Sequence, residues 1–198
     1  MPPCFYIMVM LGQMKFINPM KIFLWISLII VNVQGLQAKL TDKYVARKGE
    51  NGYVFHIFEQ DIKSSDSNKI SDKVKYDYTY VQETDSISFL STLTVPSTFY
   101  KPQELYIQTC GQIYSEKPEI IYVKPQKNKL QYRLKITIPF KLWEEMITCI
   151  EPYQLSYSFE TENGNVDINF KYPGSKWAKI RKDLSEILRI IKISISKQ

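Results

Sequence analysis

Leu130-Gln131-Tyr132-Arg133-Leu134-Lys135-Ile136-Thr137-Ile138 alternates without a break, apolar at each even position and polar at each odd one. A side-chain period of two belongs to a β-strand with one face in a core and the other in water. On a helix the same five apolar residues would be scattered around the circumference. The period continues outward in both directions. Towards the N-terminus, residues 53–58 are a dense aromatic and β-branched run. Val74, Tyr76, Tyr78 and Tyr80 share a face opposite Lys75, Asp77 and Thr79. Ile87, Phe89, Leu93 and Val95 lead to Pro96, and apolar runs at 105–110 and 120–123 follow. Towards the C-terminus, Leu155, Tyr157 and Phe159 precede Asn163-Gly164, and Val166, Ile168 and Phe170 come after it. Asn-Gly between two alternating runs is a strong hairpin signal.

Turn-forming residues fall between these runs, at 48–52, 64–71, 96–102, 116–118 and 125–129. About eight strands with no helical run among them predict an all-β fold, an antiparallel β-sandwich with a closed β-barrel as the alternative. Segment 140–150 is the ambiguous one. Leu142, Met146 and Ile147 suit a helical turn, whereas β-branched Ile147, Thr148 and Ile150 suit a strand over 143–150 that Pro152 ends. The β-branched residues favour the strand, which has Cys110 and Cys149 lying on two strands.

After Pro173-Gly174 the period changes. Trp177, Ile180, Leu184, Ile187, Leu188, Ile191 and Ile195 recur at helical spacing, and Ser175 suits an N-cap. Residues 175–198 therefore predict a basic amphipathic helix, firm to about Arg189. Beyond it, Ile191, Ile193 and Ile195 also fit a short strand. The helix is expected to pack its apolar face on the β body, because a lone helix needs an apolar surface and a sheet supplies one.

Near the start, residues 22–33 hold ten apolar side chains out of twelve, with Lys21 before them and Gln34-Gly35 after. A basic flank, a short apolar core and small residues at the exit make a secretory signal peptide. Spanning a bilayer takes about 20 apolar residues, so the run is short for an anchor. The expected organisation is a signal over 1–35, cleaved after Gly35 (Ala38 is the second choice), a β-sandwich over 36–174 and the helix over 175–198. The apolar patch at 4–11 then belongs to an upstream extension, with Met14 or Met20 as the working start.

From residue 36 on, the chain carries 24 basic and 20 acidic residues, a net +4. Seven of those cations lie in 176–198 against Asp183 and Glu186, so a near-neutral body bears a basic tail. Cys110 and Cys149 are the two cysteines left after the signal, and in a secreted chain they are expected to form a disulfide. No asparagine stands in an Asn-x-Ser/Thr sequon, so no N-glycan is expected.

No catalytic constellation is visible, no metal site and no cofactor motif. His56, the one histidine, sits within a strand, and a zinc site would need mostly carboxylates. Glu144 and Glu145 are adjacent and would point to opposite faces of a strand. The chain is therefore read as a non-enzyme. Two surfaces are candidates for binding. Tyr76, Tyr78 and Tyr80 form a continuous row, either a stacking platform or, as favoured, a half-buried face with hydroxyls in solvent. Lys176, Lys179 and Lys182 line the helix and invite contact with an anionic surface. Contact with a membrane is the less favoured use of the helix, and the secretory route argues against nucleic acid.

The functional expectation is a secreted, extracellular β-sandwich that binds a protein or a surface. A carbohydrate-binding module using the tyrosine row is one alternative. The other is a carrier of a small apolar ligand. In element order, about eight strands and then a helix, the chain resembles the lipocalins, which implies a barrel around an apolar cavity. It departs from their Gly-x-Trp motif, having Gly52-Tyr53-Val54, with its tryptophans at 25, 143 and 177.

Overall fold

The alternating stretch sits inside a sheet, where its pattern requires it to be. The computed structural model describes residues 42–64 and 70–196, and the segment read as a signal peptide lies outside them. Ten strands succeed one another: β1 (Tyr44–Gly49), β2 (Gly52–Lys63), β3 (Lys73–Val81), β4 (Ser86–Pro96), β5 (Lys101–Thr109), β6 (Gln112–Glu116), β7 (Glu119–Gln126), β8 (Lys129–Pro139), β9 (Gln154–Thr161) and β10 (Gly164–Lys171). A six-stranded sheet runs β1-β2-β3-β4-β8-β7 and a four-stranded sheet runs β10-β9-β5-β6. Every pairing in both is antiparallel. Neither sheet closes on itself, so the fold is a β-sandwich and the barrel alternative falls.

β8 pairs with β4 over eleven residues, from Ser86 opposite Pro139 to Pro96 opposite Lys129. Tyr132, Leu134, Ile136 and Ile138 are buried along its inner face. The four-stranded sheet faces them with Leu105, Ile107, Leu155, Tyr157, Phe159, Ile168 and Phe170, all buried. The β9–β10 hairpin forms where Asn163-Gly164 predicts one, although its two-residue loop is Glu162-Asn163. Gly164 is the first paired residue, opposite Thr161, and its φ of 103° is the reason glycine stands there.

Two strands exceed the expected eight. β1 and β6 are short, and apart from Tyr44, Tyr114 and Glu116 all their residues are exposed. A strand with no buried face has no reason to alternate, and so leaves no periodic signal.

Segment 140–150 is a helix, contrary to the strand favoured from its β-branched residues. Helix α1 (Phe140–Thr148) begins directly after β8 and buries Phe140, Trp143, Met146 and Ile147. That three- and four-residue spacing makes one apolar face against the core. Phe140 meets Tyr80 at 4.8 Å between ring centroids and Trp143 meets Tyr78 at 5.7 Å. The packing outweighs the small helix penalty of Ile147 and Thr148. Extended backbone at Cys149 ends the helix, with its N–H donating to Glu145 O at 3.0 Å.

Helix α2 (Gly174–Ile195) runs continuously, so the residues after Arg189 are helical and not a last strand. Its N-cap is Pro173, and Ser175 lies inside the first turn without a capping role. Trp177, Ile180, Leu184, Ile187, Leu188 and Ile191 are buried, against β2 and α1. The Trp177 ring stands 5.2 Å from Tyr153 and 5.9 Å from Tyr172, and its Nε1 donates to Cys149 O at 3.3 Å.

Cys110 and Cys149 are bonded, with Cα atoms 6.0 Å apart and a separation of 39 residues. The bridge joins the β5–β6 turn to the end of α1, not one strand to another. Opening it in a Cys110→Ser/Cys149→Ser variant should cost about 4 kcal/mol, the loop entropy returned to the unfolded chain. Urea unfolding measures this. A loss under about 1 kcal/mol would mean that the loop is already restricted when unfolded.

Candidate functional site

The tyrosine row is not a surface. Tyr76, Tyr78 and Tyr80 are at most 1% exposed, on the inner face of β3, and both the stacking platform and the half-buried face are corrected by this. Their hydroxyls find partners inside. Tyr76 shares a hydrogen bond with Tyr172, Tyr78 with Tyr153 at 3.1 Å, and Tyr80 donates to Asp85 at 3.4 Å. A polar tip suggested solvent, but the tips of Tyr76 and Tyr78 meet tyrosines from the segments flanking β10 and β9, and that of Tyr80 meets a carboxylate. Burial pushes the hydroxyls of Tyr76, Tyr78 and Tyr153 well up from the ordinary tyrosine range. Tyr80 is raised to about 12 by burial and by the Asp85 carboxylate.

Lys176, Lys179 and Lys182 are exposed on α2, whereas the three tyrosines are buried on the inner face of β3, so the two candidate groups form no common site. Lys176 is engaged: its Nζ is 2.7 Å from Asp61 and lies 5.5 Å from the centroid of the Tyr172 ring. The hydrogen bond from Lys176 lowers the Asp61 pKa. His56 is on the outer face of β2, with Nδ1 3.0 Å from Thr79 Oγ1.

The longest run of exposed large apolar side chains among the described residues is elsewhere, at an edge of the larger sheet. β7 is one edge of the six-stranded sheet, with β1 the other, and β6 is one edge of the smaller sheet, with β10 the other. From β6, Tyr114 Oη, which donates to Glu116 at 2.6 Å, lies 3.3 Å from Thr137 O of β8, and this brings the smaller sheet's edge over β8. All eight residues of β7 are exposed. Ile120, Ile121, Tyr122 and Val123 are each 40–45% exposed, and Ile113 of β6 is 68% exposed.

The register sets which way these side chains point. Directly paired residues share a face. Ile120 opposite Leu134 and Val123 opposite Tyr132 are therefore on the inner face. Glu119 opposite Lys135, Tyr122 opposite Arg133 and Lys124 opposite Gln131 are on the outer face. The register slips by one residue between Ile120 and Tyr122, which leaves Ile121 as an extra residue, a bulge. Arg133 is held by Asp77 and by Thr92 Oγ1 at 2.9 Å, and Lys135 is 3.4 Å from Glu119. Outside the sheet, β7 presents the unpaired N–H and C=O groups of an edge strand.

This arrangement is an open edge and not a cleft. It offers backbone hydrogen bonds along an edge and apolar side chains on both sides of it. The sequence reading placed a strand at 120–123 without seeing that it is an uncovered edge. A signal was present: Pro118 and Pro125 bracket an apolar run that does not alternate, and proline within a sheet is confined to edges and strand ends.

No protein-family model matches the chain, and no curated protein matches it. Among solved structures, invasion associated protein B from Bartonella henselae is similar, with 13% sequence identity and a TM-score of 0.37 over 73% of this chain and 94% of that one.

Proposed function

We propose that this is a secreted, non-enzymatic β-sandwich that acts by binding another protein chain, and that the β6–β7 end is where it does so. One observation carries the proposal: four consecutive apolar residues of an edge strand lie open to solvent on both faces. Lys124, Pro125 and the bulge at Ile121 blunt this edge against indiscriminate pairing, and the apolar run between them is what they leave open. An extended chain added along β7 would take up its backbone groups and cover Ile120 to Val123, as in strand addition to a sheet edge.

The Cys110–Cys149 bond supports the extracellular part, because disulfides persist in oxidising compartments. A protein partner is preferred to a small apolar ligand because the sheets stay open and aromatic rings fill the space between them. It is preferred to a sugar because the tyrosine row is inside. Membrane insertion by α2 is disfavoured because its apolar face is already buried.

Hydrogen exchange tests the proposal. In the medium into which the protein is secreted, the amides of β7 should exchange at least about tenfold more slowly than in a dilute purified sample. Equal exchange in both would sink it.

A further inference from the structure

We propose that the occupant of the β7 edge is β7 of a second copy of this chain, the two strands antiparallel about a two-fold axis between Ile121 and Tyr122. The proposal rests on the β6–β7 end being a protein-binding face and names what fills it. Read outward from that axis, the strand is its own complement. Ile121 meets Tyr122 of the second copy, Ile120 meets Val123, Glu119 meets Lys124, and Pro118 meets Pro125. Beyond the strand, Glu116 and Lys127 stand equally far from the axis. A two-fold interface requires this relation, since residue i must suit residue j and j must suit i. An unrelated partner gives no reason for it.

The bulge makes the geometry work. A two-fold axis perpendicular to a sheet keeps every side chain on its own face, so mates must share a face. Glu119 and Lys124 are five residues apart and would point to opposite faces of an unbroken strand. Here they lie opposite Lys135 and Gln131, four apart on β8, so both are on the outer face. Ile120 and Val123, three residues apart, both reach the inner face for the same reason. The extra residue at Ile121 puts Glu119 with Lys124, and Ile120 with Val123, on shared faces.

The apolar side chains supply the attraction and the charges set the register. The side chain of Glu119 is 64% exposed even with Lys135 beside it, which leaves room for a second cation. Pro118 and Pro125 lack the N–H a ladder needs, so pairing stops at both ends.

Sedimentation velocity on the intact protein over a concentration series reads the association. The wild type should pass from monomer to dimer. Glu119→Lys and Lys124→Glu should each weaken the dimer by about tenfold or more, because symmetry places like charges opposite each other twice. The double variant E119K/K124E should return to within about threefold of wild type. Both positions are exposed and the Glu119–Lys135 pair is a surface one, so melting curves taken in dilute solution, where wild type and variants are all monomers, should shift by no more than a few degrees. A monomer at every concentration up to about 1 mM would overturn the second copy as occupant. A dimer indifferent to both reversals would overturn this register. Hydrogen exchange on the same samples separates the two levels. If β7 amides are slowed by secreted medium but not by the concentrated protein, the occupant is wrong and the binding face stands. If they are slowed by neither, both fall.

Discussion

Ending the chain at Gly174 should leave a polypeptide that does not fold. The cut removes Trp177, Ile180, Leu184, Ile187, Leu188 and Ile191, all buried. At about 1.5–3 kcal/mol for each fully buried side chain, the lost burial is roughly 9–18 kcal/mol, and an extended-chain reference makes that an upper figure. Even its lower end is comparable with the whole stability of a domain, about 5–15 kcal/mol. The cut also uncovers the rings of Tyr153 and Tyr172 that Trp177 packs against, and it removes the donors that Trp177 and Arg181 give to Cys149 O. A milder form is Trp177→Ala, expected to cost about 3–5 kcal/mol. Near-ultraviolet circular dichroism and a thermal melt decide the matter. A truncated chain that melts cooperatively within a few degrees of the full one would show α2 to be a surface appendage.

The second large effect is alkaline unfolding. Tyr76, Tyr78, Tyr153, Tyr157 and Tyr172 carry hydroxyls whose pKa burial pushes up from the ordinary value of 10.0. The folded chain therefore keeps protons that the unfolded chain releases above pH 10. Stability is fully present below that pH and falls as pH rises through it. Each hydroxyl that stays neutral costs about 1.4 kcal/mol per pH unit, so the five together cost roughly 7 kcal/mol by pH 11. The domain should unfold in one step between about pH 10 and 12. Tyrosinate absorbance at 295 nm should show the exposed tyrosines ionising gradually and the buried set abruptly, together with the loss of near-ultraviolet dichroism. Gradual ionisation of every tyrosine near pH 10 with the fold intact would refute this.

The two predictions depend on the same region, which the sequence reveals only in part. The helical spacing from Trp177 onward announces an amphipathic helix, and its buried residues are the ones that spacing selects. That Trp177 of this helix packs on Tyr153 and Tyr172, whose hydroxyls meet Tyr78 and Tyr76 of β3, is not a local property of any of these segments. Tyr76 and Tyr172 are 96 residues apart and meet only because both sheets and α2 are in place. The same holds for α1. Residue type alone favours a strand over 143–150, yet the end of the sandwich offers an apolar seat to Phe140, Trp143, Met146 and Ile147. Burial of those four outweighs a small propensity.

The candidate site divides in the same way. Two prolines around a non-alternating apolar run mark residues 119–124 as an edge strand, and their charge order is self-complementary in the sequence itself. What the sequence cannot contain is the unequal width of the two sheets, which leaves β7 uncovered, or the bulge at Ile121, which brings Glu119 and Lys124 to one face.

By itself, then, the sequence determined the β class of the body, the inner faces of its central strands, the terminal helix and the pairing of the two cysteines. Each is recorded in a short-range period or, for the cysteines, in a pairing that sets aside only Cys4 of the expected signal. The tertiary structure alone decided which strands became edges, that segment 140–150 is helical, that the tyrosine row is interior and that β7 lies open. These depend on what packs opposite a segment, and a chain records its own side chains rather than the surface that will meet them.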